Sequence, residues 1–211
     1  MKNELIRRDY DVELETRESS NLGTVEGVPI VYNKRANIGG LFDEIIESGA
    51  LDKANLNDVR LCLNHDTSFV YARSRHNRPN STMRLQITPR GLEIAADLAI
   101  AESTRARDLY SAISRGDFDK MSFMFSVDEE EWENLESNHP TRHIKAIGSV
   151  IEVSVVTFPA YSETEIHARD CETLENARAA LENARQSRAG AVDTAKLLEL
   201  EKAKFELLFR R

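Results

Sequence analysis

Apolar and polar positions alternate with a period of two in a series of short segments, the spacing that places one face of a β-strand against a core. Residues 9–17 do so through Tyr10, Val12 and Leu14, and residues 23–32 through Val25, Val28, Ile30 and Val31. Val59 to Leu63 is a short apolar strand. Met83, Leu85 and Ile87 alternate, Thr88-Pro89-Arg90-Gly91 supplies a turn, and Leu92, Ile94 and Ala96 alternate again, so a hairpin is predicted. A further strand surrounds Met121 to Val127. A long β-rich stretch covers 144–156 and ends at Phe158-Pro159-Ala160-Tyr161. The polar, proline-containing segment 74–81 and the acidic segment 128–139 around Trp132 read as loops.

Helical spacing is confined to three places. Leu41, Phe42, Ile45 and Ile46 predict a short amphipathic helix over 41–48, with Gly49 as its C-cap. Ser103 is placed to cap a helix running to Ser114, with Ala106, Leu109, Tyr110 and Ile113 on one face and Gly116 ending it. From about Asp170 the sequence becomes rich in Ala, Leu, Glu, Arg and Lys and lacks proline. Leu174, Ala177, Leu181 and Ala184 recur at helical spacing, as do the leucines around Leu197 and Leu207, with a break expected at 186–190. The predicted class is therefore mainly β with flanking helices (α+β), with a body over 1–169 and a tail of two helices over 170–211.

At 211 residues, 41% of them hydrophobic and 30% charged, the chain can bury one core. No apolar run approaches the roughly 20 residues that cross a bilayer, so no membrane partner is expected. The first nine residues hold no apolar signal region, which argues against secretion. The net charge of −8 argues against nucleic-acid binding through broad phosphate contacts. It resides in the body, because the tail carries eight basic and eight acidic residues. Cys62 and Cys171 lie far apart and do not suggest a disulfide framework. No His-Glu-x-x-His, Cys-x-x-Cys or glycine-rich phosphate loop occurs, so neither metal nor cofactor is expected.

Three apolar segments are each interrupted by a residue that hydrolysis needs. Leu61-Cys62-Leu63-Asn64-His65-Asp66 brings His65, Met121-Ser122-Phe123 brings Ser122, and Ile151-Glu152-Val153 brings Glu152. A serine nucleophile needs an imidazole to accept its proton, and the imidazole needs a third group to orient it. Each has a structural reading as well: a strand-end histidine, a strand-edge serine, a carboxylate facing solvent from a half-buried strand. Asp66, next to His65, points to the opposite face of a strand and reads as a turn former. Ser126 and Ser154 read as structural. No Gly-x-Ser-x-Gly elbow is present, which disfavours a small-ester hydrolase.

Taken together, Asn64-His65-Asp66, the Gly91-Leu92 hairpin, Arg115-Gly116-Asp117 ahead of Met121-Ser122-Phe123, and Glu152 to Val156 followed by Pro159-Ala160 resemble the tailed-phage prohead serine proteases, a family related to the herpesvirus assemblins. The resemblance covers roughly 22–168. It implies a closed or nearly closed assemblin-like β-barrel, with His65 as general base and Ser122 as nucleophile. It implies Glu152 as the third member, although the herpesvirus branch uses a second histidine and His143 stands nearby as a competitor. Backbone N–H groups near Ala160 and Tyr161 are the implied oxyanion donors.

The activity implied is endoproteolysis of the major capsid protein and of scaffold inside an assembling procapsid in the host cytoplasm, with self-cleavage. Dimerisation or crowding within the shell is the expected restraint on early cleavage. The tail is open to three readings: a helical pair packed on the body, a module that binds scaffold or capsid protein, or a segment removed on activation. The alternative function is a catalytically silent, protease-like core or scaffold protein of the procapsid.

Overall fold

The computed structural model describes residues 5–11, 14–19, 21–157 and 168–208. In chain order the elements are β1 (Leu5–Asp11), β2 (Glu15–Glu18), β3 (Gly23–Val31), β4 (Arg35–Ile38), β5 (Phe42–Ile46), β6 (Val59–Leu63), β7 (Ala72–Ser74), β8 (Met83–Thr88), β9 (Gly91–Leu98), α1 (Thr104–Ser114), β10 (Lys120–Glu133), β11 (Thr141–Val156) and α2 (Ala168–Leu208). The mainly β, α+β class follows from these elements.

Hydrogen bonding sorts the strands into two sheets. The larger runs β1-β10-β11-β5-β4, with β6 also on β11 and β7 on β6; the smaller runs β2-β3-β9-β8. The expected barrel is therefore corrected: the described strands do not close. The long strand β11 gives one edge to two partners, 141–144 to β5 and 152–155 to β6, both parallel. Sharing an edge in this way branches the sheet instead of rolling it shut. Register shifts between β10 and β11, from Met124 to Glu130, bend the ribbon between the two branches.

The core lies between the sheets. Val25, Ile30, Leu92, Ile94 and Ala96 from the smaller sheet meet Leu61, Phe123, Phe125, Val153 and Val155 from the larger one, and Leu109 and Ile113 of α1 close one side. Ser103 caps α1 as predicted, accepting a hydrogen bond from the Ala106 N–H at 3.2 Å. The predicted hairpin forms as β8 and β9. Its Gly91 has φ +141°, and a Cβ there would stand 1.9 Å from the Ile30 carbonyl oxygen. Gly91→Ala is expected to destabilise the fold by roughly 3 kcal/mol or more, through both strain and the clash, visible as a lower denaturation midpoint. An unchanged midpoint would disprove it.

Three sequence expectations are corrected. Residues 42–46 form a strand, not a helix: Phe42, Glu44 and Ile46 face inward, and the buried carboxylate of Glu44 masks the alternation. Residues 128–133 extend β10 rather than forming a loop. The tail is one helix of 41 residues, without the break expected at 186–190. Its Ala177 and Leu181 pack with Ile38, Phe42 and Leu135 in a second apolar cluster, while Leu197 and Leu198 are exposed.

Glu44 is paired rather than stranded. Arg8 of β1 grips it with Nε–Oε1 at 2.5 Å and Nη2–Oε2 at 2.8 Å. Arg142 donates from Nη1 at 3.2 Å and turns its other nitrogens to Glu130. Burial pushes the Glu44 carboxyl up, but the two guanidiniums outweigh it and hold its pKa below the ordinary value.

Candidate active site

Strand alternation gives the central part of the larger sheet two unlike faces. Met121, Phe123, Phe125, Val153 and Val155 point into the core. The opposite face of β10, β11 and β6 carries Ser122, Glu152, Ser154 and Cys62, all buried. Register brings them together: Ser122 lies directly opposite Ser154, and Ser154 lies beside Cys62. Cβ atoms of directly opposed residues are roughly 5 Å apart, so Ser122 is one strand from the group that holds His65.

His65 arrives at the end of β6, where the chain leaves the sheet through two left-handed residues, Asn64 (φ +50°) and His65 (φ +60°). Asparagine and histidine are among the residues that tolerate this conformation, which still costs about 1–3 kcal/mol at each. Several bonds hold the turn. The Asn64 N–H donates to the Val155 carbonyl at 2.9 Å, and Asn64 Oδ1 accepts from the Thr157 N–H at 3.0 Å and its hydroxyl at 3.1 Å. The His65 N–H donates to Ser154 Oγ at 3.1 Å.

The effect is to aim the imidazole at Glu152. His65 Nδ1 stands 2.6 Å from Glu152 Oε1, with the two side chains 16% and 1% exposed. The second carboxylate oxygen accepts the Ser154 hydroxyl at 2.5 Å. A carboxylate at Nδ1 stabilises the tautomer with its proton on that nitrogen, which leaves Nε2 as the basic one. The carboxylate, with both oxygens engaged, cannot rotate away without breaking two short bonds.

Ser122 is fully buried, and its hydroxyl donates to the Arg8 carbonyl of β1 at 3.0 Å. Cys62 is the other nucleophile on this face. Burial, reinforced by the Glu152 charge, pushes its thiol up to about 12, so it keeps its proton and is inert at neutral pH.

Of the residues singled out from the sequence, His65 and Glu152 are brought into contact and Ser122 onto the adjacent strand. His143 is not brought to them. It lies nine residues before Glu152 on β11, roughly 30 Å along the strand, and its ring nitrogens face Glu47 at 2.9 Å and Glu133 at 3.3 Å. Asp66 forms a turn, accepting the Ser68 N–H and hydroxyl. Ala160 and Tyr161 lie outside the described residues. Ser126 bonds to Ser149 and is structural. Ser154 corrects its structural reading, since it ties Glu152 to the His65 backbone; the Glu-x-Ser spacing, which puts both on one strand face, was the available signal.

In comparisons with known proteins, a family model described as caudovirus prohead serine protease matches residues 10–178. No curated protein and no solved structure matches the chain.

Proposed function

The chain belongs to the caudovirus prohead serine protease family, and from that premise we propose that it is the endopeptidase of phage head maturation. The single observation that best supports this is the bond between His65 Nδ1 and the buried Glu152, one strand from Ser122. In this reading Ser122 Oγ attacks the scissile carbonyl and His65 Nε2 takes the hydroxyl proton. Glu152 holds the ring and stabilises the imidazolium. His65 then returns the proton to the leaving amine, and water, deprotonated by His65, hydrolyses the acyl-enzyme. The oxyanion is assigned to backbone N–H donors near Ala160 and Tyr161. The substrates are the major capsid protein and scaffold inside the procapsid, and the chain itself in its tail.

One observation favours a second reading, a catalytically silent core protein: the Ser122 hydroxyl is buried and donated to a backbone carbonyl. Co-expression with the capsid and scaffold proteins, followed by intact-mass measurement, decides between them. Discrete shortened chains in the wild type, absent with Ser122→Ala, are expected. Identical masses in both, with the protein still incorporated into procapsids, would establish the silent reading.

A further inference from the structure

The larger sheet presents the order β1, β10, β11, β6 across the site. Ser122 on β10 therefore has the Glu152–His65 pair on one side and the backbone of β1 on the other. An extended peptide brought up for cleavage can take that place, paired to β10 beside the nucleophile with its scissile bond within reach of the base. Strand addition to an edge is the general way an extended peptide is held. β1 satisfies this description. It runs antiparallel to β10 from Leu5↔Ser126 to Asp11↔Lys120, and its Arg8 carbonyl takes the Ser122 proton at 3.0 Å. Ser122 is left with no exposed surface.

β1 is also an outer strand of the sheet, paired among the described strands with β10 alone, so it can leave without unmaking another strand pairing. Its one fully buried side chain among those described is a charge, with Ile6 half-buried against the core on the same face. Arg8, 2% exposed, reaches the fully buried Glu44 through two hydrogen bonds. A strand whose buried side chain is an ion-paired cation can dock and undock as that pair forms and breaks.

Resting on the protease reading above, we propose that β1 is an intramolecular plug: it occupies the edge of β10 where an extended substrate peptide pairs, and Arg8 latched to Glu44 keeps it there until assembly draws it off. The plug acts without covalent change; its departure exposes Ser122 and frees the β10 edge.

The test uses the full chain and a fluorophosphonate probe, which phosphonylates an activated serine hydroxyl with loss of fluoride. In a Cys171→Ser background, Leu5→Cys with Ser126→Cys joins directly opposed positions that a disulfide can span. The oxidised tether is expected to block labelling of Ser122, and reductant to restore it in the same sample. Arg8→Met is expected to speed labelling roughly tenfold or more, the response to a latch worth at least 1.4 kcal/mol. Equal Ser122 labelling in the tethered, reduced and wild-type proteins would overturn the plug and leave the protease reading standing. No Ser122-dependent labelling in any form, Arg8→Met included, would overturn the protease reading and the plug with it. The tether keeps the test decisive if Arg8→Met fails to fold.

Discussion

Ser122→Ala is expected to lower kcat by roughly 10⁶-fold and Glu152→Gln by roughly 10⁴-fold, both without unfolding the chain. The two values differ because the residues do different things. In the proposed mechanism alanine removes the attacking atom, and what survives is the contribution of binding and oxyanion donors. Glutamine leaves every catalytic atom in place but changes two properties of the third group. It removes the negative charge beside a ring that must become cationic, in a place where Glu152 is 1% exposed and water screens little. It also offers an amide N–H as readily as a carbonyl to Nδ1, which favours the tautomer whose Nε2 already carries a proton. Ser154 donates to Glu152 Oε2, so the amide's single carbonyl oxygen can accept from only one of the two former donors while its N–H₂ meets the other. Rates of capsid-chain cleavage in co-assembled shells measure both effects. Glu152→Gln within tenfold of wild type would refute the orienting role. His143→Ala, at the far end of β11, is expected to stay near the wild-type rate.

Local pattern made some of this legible and long-range pairing made the rest invisible. The hairpin of β8 and β9 and the cap of α1 are written in a few adjacent residues, and each was readable. Residues 42–46 were not, because Glu44 sits at an inward position and its partners are Arg8 and Arg142, 36 and 98 residues away. No period within the segment records that compensation. The extension of β10 past Asp128 failed for a related reason: its acidic run is exposed on one arm of a ribbon whose other arm, β11, supplies the pairing. In the site, the spacing Glu152-x-Ser154 was local, whereas the antiparallel register that sets Ser122 opposite Ser154 was not. The resemblance implied the three residues together, and it also implied a barrel that the shared edge of β11 does not allow.

Glu44→Ala is expected to lower the free energy of unfolding by about 3–5 kcal/mol at neutral pH, the cost of leaving a buried cation without its counter-ion. Arg142 loses less, because Glu130 remains within reach. Arg8 carries the penalty: at 2% exposure it is shut off from water, and Glu44 is the carboxylate that grips it through two of its nitrogens. The loss has a ceiling. Once it exceeds the free energy that docks β1, the strand can carry Arg8 into water, and the cost stops there. Denaturant unfolding gives the total, and amide exchange along β1 locates it. The wild-type pair also fixes a pH dependence. The folded Glu44 carboxyl lies below its ordinary value of 4.5, so its contribution is fully present above that value and is lost as pH falls through the folded pKa. Glu44→Ala should therefore flatten the acid limb of the stability profile. Replacing both partners, Arg8→Met with Glu44→Leu, removes the orphaned charge and is expected to recover most of the stability. If Glu44→Ala costs under about 1 kcal/mol while the β1 amides stay protected, the ion pair is not what holds the strand.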